Sequence, residues 1–408
     1  MTVADAAVIR VFRSIKEIER ERWDSCANPG WPSERPLGSP PATDSGVPYN
    51  PFISHDFLWA LEESGSASAR AGWAPQHLTL EDGSGALLGA MPAYLKSHSQ
   101  GEYVFDHGWA DAFERAGGRY YPKLQASVPF TPATGRRLLV PPGAACEHRR
   151  RTLATGATEL ARRLNASSVH VTFMTEAECR PLAEAGYLMR TDRQFHFVNP
   201  GYRDFDDFLD ALASRKRKAI RRERRDAVAD GIEIVALTGA AITEADWDAF
   251  FGFYMDTGSR KWGRPYLNRK FFSLVGERMA DRILLILARR GRRAIAGALN
   301  FIGSETLFGR YWGATERLPF LHFELCYYQA MEWGIAHGMK CVEAGAQGEH
   351  KIARGYQPVT TYSAHWIADP TFRKAVADYL RREQRHVARE SEALAEMLPF
   401  REDDSGER

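Results

Sequence analysis

Apolar residues along this chain recur with two different spacings, and the two take turns. Short apolar or alternating runs predict strands at Val8–Phe12, His77–Leu80, Ala86–Leu95, Leu138–Val140, Ser168–Phe173 and Phe195–Val198. Helical spacing predicts helices over Ile15–Cys26, Phe52–Ser64, Arg149–Leu164 and Thr175–Ala185. Ser14 caps the first, Ser54 lies near the start of the second, and Gly186 closes the last. Two stretches break the alternation. Asn28–Pro51, dense in proline, glycine and serine, predicts a loop insertion. Glu102–Arg115, with the AGGRYYPKLQASVPFTPATGRRLLV after it, crowds aromatics, prolines, glycines and the pair Asp106–His107 into what reads as irregular backbone. Such backbone carries function disproportionately.

The second half repeats the order of elements without repeating the sequence. A helix is predicted over Phe205–Ala229, a strand at Glu233–Leu237 and a helix over Ala245–Thr257. A basic, aromatic loop follows at Ser259–Arg269, then a helix over Phe271–Met279. Ile283–Arg289, Ala294–Ile302 and Thr306–Trp312 predict an antiparallel meander. Leu321–Ala336 is apolar on nearly every face, so it predicts a buried helix, stopped by Gly338; Lys340–Ala344 predicts the next strand. Strand, buried helix, strand is a right-handed crossover and belongs to a layered α/β sheet. The pattern therefore predicts an α/β protein with an N-terminal domain at 1–200, carrying the 28–51 insertion, and a C-terminal domain at 201–370. A charged helix (Ala375–Met397) and a frayed tail fill 371–408.

Composition narrows the class. With 408 residues the chain has room for two or three domains, and its net charge is only +2. The whole molecule is no electrostatic magnet for nucleic acid, and no DNA partner is expected. The cysteines Cys26, Cys146, Cys179, Cys326 and Cys341 are scattered without metal-ligand spacing. They read as reduced thiols of a cytoplasmic protein, with no metal site. Lys16–Trp23 is too charged for a signal peptide, and no apolar run reaches spanning length. That leaves room only for a peripheral contact with an anionic membrane.

The candidate chemistry gathers around the C-terminal crossover. Glu324 lies inside the apolar helix and Glu343 inside the strand behind it, flanked by His322, His350, Lys351 and Arg354. Buried carboxylates are costly unless paired, so such groups mark either a site or a structural ion pair with Arg310 or Arg354. Glu343, ending a strand beside a glycine-rich turn, is the first choice for a general base, ahead of Glu324, His322 and His350. Backbone N–H groups at a splayed strand would hold an oxyanion. In the first half Asp106, His107, Tyr121 and Lys123 are candidate acceptor contacts. Arg215, Lys218, Arg222 and Arg225 recur at helical spacing as a basic stripe, either a solvated face or a dock for a polyanion.

The motifs YWGA, FLHFELCYYQ, CVEAGAQGEHKIARGY and YYPKLQASVPFTP resemble those of the Fem-like group of predicted N-acyltransferases, over roughly Pro51–Trp366. The resemblance implies tandem GNAT-like (acyl-CoA N-acyltransferase) domains with a cleft between them and the chemistry on the C-terminal one. It carries over His350, Lys351, Arg354, Gly355 and Tyr356. On this reading the chain is an N-acyltransferase. Arg310, Tyr311, Trp312, Arg317, Lys351 and Arg354 would bind the donor, with Tyr311 and Trp312 along the acyl channel and Lys351 and Arg354 on donor phosphate. The co-substrate would be acyl-coenzyme A or an acyl-carrier-protein thioester, with no tightly bound cofactor. The acceptor would be a primary amine, such as a peptide lysine or an amino-lipid. One departure is plain: ATERLPFLHF has no glycine after Gly313, so a pyrophosphate cradle is missing. That leaves open an aminoacyl-tRNA donor acting on a peptidoglycan precursor, as in the Fem branch. A non-catalytic peptide- or glycan-recognition module is the further alternative.

Overall fold

The computed structural model describes residues 7–31, 45–262, 265–345 and 348–401. Most of the Asn28–Pro51 insertion and the tail expected to fray therefore lie outside the described residues. The chain forms two compact units: unit 1 is Met1–Asp192, Tyr266–Arg278 and Thr360–Val387, and unit 2 is Arg193–Pro265, Met279–Val359 and Ala388–Arg408.

The strands, in chain order, are β1 (Val8–Phe12), β2 (Trp73–Pro75), β3 (His77–Glu81), β4 (Leu87–Met91), β5 (Ala93–Lys96), β6 (Lys123–Ala126), β7 (Ser168–Met174) and β8 (Leu188–Val198). They continue as β9 (Ile232–Thr238), β10 (Ile283–Arg290), β11 (Arg293–Ile302), β12 (Thr306–Ala314), β13 (Cys341–Glu343) and β14 (Gln357–Ile367). The helices that position the sites are α1 (Arg20–Ala27), α2 (His55–Glu63), α3 (His107–Arg115), α4 (Cys146–Arg163), α5 (Cys179–Glu184), α6 (Phe205–Ala211) and α7 (Ser214–Ala227). After them come α8 (Glu244–Trp262), α9 (Arg269–Met279), α10 (Leu321–Phe323), α11 (Gln329–Ala336) and α12 (Pro370–Ala395).

In unit 1, β1, β3 and β4 make a small antiparallel sheet. A second sheet has the order β2-β5-β6-β7-β14, antiparallel except for the parallel step from β6 to β7, which α4 spans. Alternation decides its faces. Leu95, Leu124, Ala126, Val169, Val171 and Ala364 point to one side and pack with Leu153, Ala154, Ala157 and Ala161 of α4, an apolar core. The other side carries Lys96, Lys123, Gln125, Ser168, His170, Thr172 and His365, and these are buried as well. Trp109 of α3 lies against the rings of His170 and His365, and with Tyr120, Val376 and Leu380 forms a second small apolar cluster.

In unit 2 the order is β8-β13-β12-β11-β10-β9. The predicted meander is present as antiparallel β10, β11 and β12, extended by β9. The predicted crossover is present too: β12 and β13 are parallel and paired at Thr306–Cys341, Leu307–Val342 and Phe308–Glu343. Helix α8 crosses β12 so closely that a Cβ on Gly313 would sit 2.2 Å from the carbonyl oxygen of Phe253. Backbone cannot yield as a side-chain tip can, so Gly313→Ala is expected to cost about 1–3 kcal/mol. A lowered denaturation midpoint checks it, and an unchanged one would mean that α8 is free to retreat.

Four expectations are corrected. His107–Arg115 is helix, not irregular backbone; Trp109 and Ala110 give it a buried face. The single helix predicted over Phe205–Ala229 is two, α6 and α7, because Leu212 turns inward at an extended step between them. The loop predicted at Ser259–Arg269 begins later, since α8 runs on to Trp262. Leu138–Val140 forms only a bridge, Leu139 to Ala90. Strand β14 went unpredicted.

Candidate functional site

The ladder between β12 and β13 ends at Phe308 and Glu343, while β12 runs on to Ala314. On the other flank of β12 the register against β11 slips: Asn300 pairs with Gly309 but Leu299 with Tyr311, so Arg310 is an extra, bulged residue. The strands part here, and a cavity of about 120 Å³ opens between them. Leu299, Asn300, Arg310, Tyr311 and Trp312 line it from the strands, Ala344 from the end of β13. The far wall is the crossover helix, which contributes His322, Cys326 and Tyr327. That helix is not uniform: between α10 and α11 it widens into a π turn over Glu324–Tyr328, with the Gln329 N–H reaching back to the Glu324 carbonyl. Such wide turns recur at functional sites, because they re-aim side chains that an α-helix would carry elsewhere.

The structure sorts the predicted C-terminal residues. Tyr311, Trp312, Arg310 and His322 meet at the cavity; the His322 ring lies 5.1 Å from that of Trp312. Glu324, 2 % exposed, is bound by Arg224 at 3.0 Å and by Gln329 at 2.8 Å, a structural pair made with Arg224 rather than with Arg310 or Arg354. Glu343 is buried; its carboxylate is 3.9 Å from His196 of β8, and its neighbour Ala344, not Glu343 itself, lines the cavity. Burial and Lys351 lower the His196 pKa to about 4, so this ring is neutral.

His350 is exposed and its Nε2 meets the Tyr327 hydroxyl at 2.9 Å; burial of the ring's inner edge, with Arg354 and Lys351, lowers its pKa. Lys351 is 1 % exposed and donates to the Gly345 carbonyl at 2.8 Å, and burial lowers its pKa to about 8. Arg354, also buried, pairs with Glu223 of α7 at 2.9 Å and covers the Phe323 ring. Neither side chain reaches outward as a phosphate clamp would. Arg317 is exposed and does not line the cavity. Arg215, Lys218, Arg222 and Arg225 form the expected exposed stripe on α7, Arg222 and Arg225 sharing Asp226. The inner face of the same helix supplies Glu223 and Arg224, which hold the crossover helix through Tyr328, Arg354 and Glu324.

Unit 1 holds a second concentration of charge, wholly internal. Lys123 Nζ donates to Glu102 at 2.6 Å, Asp106 at 2.5 Å and Ser99 at 2.7 Å. Tyr120 donates to Asp106 at 2.6 Å, and His170 and His365 share a bond of 2.7 Å between their Nδ1 atoms. The predicted acceptor residues thus divide: Asp106 and Lys123 are in contact, Tyr121 joins them through Ser99 at 2.8 Å, and His107 turns outward against Phe105. Glu102, Lys96, His170 and His365 belong to the cluster and were not singled out in the sequence. The signal for His170 was the alternation of polar and apolar residues in SVHVT.

Burial pushes the Glu102 carboxyl up to about 7 against the pull of Lys123, and pushes the Lys96 ammonium down to about 7. Burial would also raise Asp106, but Lys123 outweighs it and holds that carboxyl below the usual range. An acid whose folded pKa is raised takes up a proton on folding, so its contribution to stability falls as pH rises through the interval between the unfolded and folded values. The melting temperature of the native protein is therefore expected to decline between about pH 5 and 7 more steeply than that of Glu102→Gln, which lacks the titration. Parallel curves would contradict this environment for Glu102.

Among the described residues no group of three metal-ligating side chains comes together, and no helix is long and apolar enough to cross a membrane. The bulged, splayed strand pair in unit 2 and the mixed sheets of both units make this a tandem GNAT-like α/β protein. FemX shares that fold with a TM-score of 0.51 at 10 % identity, over 88 % of this chain and 98 % of FemX. A family model matches residues 14–402, and the chain belongs to the FemAB-like family, described as peptidoglycan biosynthesis/recognition. Similar solved structures include a tandem GNAT protein from the clavulanic acid biosynthesis pathway (TM-score 0.45, 13 % identity, 90 % of this chain and 99 % of that one). L-PGS from Bacillus licheniformis is another (0.46, 10 %, 79 % and 95 %). No curated protein sequence matches.

Proposed function

We propose that unit 2 transfers an acyl or aminoacyl group from an activated carrier to a primary amine. The observation that carries this reading is the cavity where β12 leaves β13, with a bulge on one wall and His322 on the other. The acyl group would lie against Tyr311 and Trp312. The neutral amine attacks the acyl carbonyl, the C–N bond forms, and the bond to the carrier sulfur or oxygen breaks. His322 accepts the amine proton and hands it to the departing thiolate or alkoxide. Backbone N–H groups on the edge of β12 beyond Phe308 would meet the oxyanion.

A polyanionic carrier, either a carrier protein or an aminoacyl-tRNA, is favoured over free coenzyme A. The segment Thr315–Phe320 offers no glycine cradle for a pyrophosphate, whereas α7 presents an exposed cationic stripe on the helix that braces the cavity wall. The soluble interior of a cell is the compartment in which such donors are made. The test is product mass after incubation of the purified protein with a peptide lysine or an amino-lipid and, in turn, acyl-coenzyme A, an acyl-carrier-protein thioester and charged tRNA. A mass gain from the tRNA arm that ribonuclease abolishes would select the aminoacyl donor. No product from any arm would leave the recognition module as the better reading.

A further inference from the structure

From Ala294 to Ile302 strand β11 is apolar except at one position, Asn300. The strand is paired on both sides, with β10 and β12, and Asn300 is 1 % exposed. It lines the cavity beside β12. A side-chain amide buried in such a strand costs stability unless both of its ends are used. One end is used within the sheet. The amide nitrogen donates to the carbonyls of Leu284 and Ala298, at 3.3 and 3.5 Å. Only the nitrogen can serve two carbonyls, so the amide's orientation is fixed and its oxygen is turned away from them.

That oxygen faces β12 at the bulge. Asn300 pairs there with Gly309, and a Cβ on Gly309 would stand 3.3 Å from Asn300 Oδ1 and 3.1 Å from the carbonyl oxygen of Glu343. The φ of Gly309 lies outside the left-handed region, so its backbone does not demand glycine. The space does: a side chain at this position would crowd the amide oxygen, and glycine leaves it open to the cavity that both residues line. The two oxygens are acceptors, and the far wall carries His322, which can take a proton. A neutral primary amine suits this arrangement. It has one N–H bond for each wall and a lone pair for the acyl carbon. Arg310 lines the same cavity, and its positive charge disfavours the ammonium form of such a ligand.

We propose that Asn300 Oδ1 holds the attacking amine, accepting one of its N–H bonds while His322 takes the other proton. This role deepens the acyl-transfer reading of unit 2 and rests on it for the reaction step. As the C–N bond forms, the nitrogen becomes positive and its hydrogen bond to Oδ1 strengthens. The contact therefore counts for more in the transition state than in the bound substrate. The proton on that bond stays on nitrogen and becomes the N–H of the product amide. The proton given to His322 leaves with the carrier.

The test uses the full chain, whichever donor yields product, and Nα-acetyl-lysine amide or ethanolamine as acceptor, which separates a peptide source from a lipid headgroup. Asn300→Leu nearly keeps the volume and removes the acceptor. Its kcat/KM toward the amine is expected to fall about ten- to a hundredfold, with the KM for the donor unchanged. Asn300→Asp keeps an acceptor but gives up the bonds to Leu284 and Ala298. It is expected to recover much of the lost rate, and its charge to move the alkaline rise of kcat/KM to higher pH. A purely structural asparagine predicts that Asp is no better than Leu and that donor and amine parameters fall together. Binding without donor is the second readout. At about pH 9 the amine is expected to raise the melting temperature of the native chain and not that of Asn300→Leu. The Nε-trimethylated lysine amide, which has charge but no N–H, is expected to raise neither. If no donor yields product, the acyl-transfer reading fails and this binding alone decides. Asp no better than Leu in turnover overturns the role of Asn300. So does, where no product forms, the lack of an amine-dependent shift that Asn300→Leu abolishes.

Discussion

Lys123→Met is expected to destabilise the protein by about 3–5 kcal/mol, because it takes from two buried carboxylates the cation they share, leaving only Lys96 near Glu102. Methionine nearly matches the length of the lysine stem, so little packing is lost; the cost is electrostatic. Lys123 is 0 % exposed and within 2.7 Å of three oxygen partners, so no water can take over its role. Glu102, already raised toward neutrality by burial, would protonate; Asp106 would follow with difficulty, losing what holds its pKa down. A loss of this size lowers the melting temperature by roughly 10 °C for a unit of about 230 residues. Its pH dependence has a definite sign. A carboxyl whose folded pKa is depressed contributes stability above its unfolded pKa and loses it as pH falls. The gap between native and Lys123→Met should therefore narrow below about pH 4, where Asp106 begins to protonate in the unfolded chain. Urea denaturation at neutral and acid pH measures both terms. A neutral-pH loss under about 1 kcal/mol would mean that water reaches the cluster after all.

This cluster also shows what a sequence can and cannot disclose. The alternation of Lys123, Gln125 and Ser127 with Leu124 and Ala126 marks a strand with two unlike faces. Period two says nothing about what covers each face; the ordinary expectation is that the polar one meets water. Here Trp109, Val376 and Leu380 cover part of it, from helices that the sequence separates by more than two hundred residues. The crossover in unit 2 was legible for the opposite reason. Its signals are local: a strand ending in glycine and alanine, an apolar helix with Gly338 behind it, a short strand. The partner of Glu324 was not legible, because Arg224 lies a hundred positions away and one basic helix offers many arginines for the pairing. The bulge at Arg310 and the early end of β13 follow from pairing between strands, which no single strand records.

On the acyl-transfer proposal, His322 at the splay, rather than Glu343, is the base. His322→Gln is expected to lower kcat by about 10²–10⁴-fold with little change in KM, as loss of a general base does. Glu343→Gln is expected to cost less than about tenfold. The difference comes from where each group stands. Glu324 has Arg224 on one side and Gln329 on the other, so its lone pairs are spent within the fold. Glu343 is the last residue of β13, is buried near His196, and leaves the cavity wall to Ala344. His322 alone of the four proposed bases lines the cavity, between the rings of Trp312 and Tyr327, and His350 is tied from outside to the Tyr327 hydroxyl. A base must come within about 3 Å of the proton it takes, or reach it through one water. Loss of the acidic limb of the kcat/KM–pH profile in His322→Gln, with that limb kept in Glu343→Gln, would assign the proton to the histidine. The reverse pattern would put the reacting amine on the Glu343 side of Ala344, outside the cavity that His322 faces.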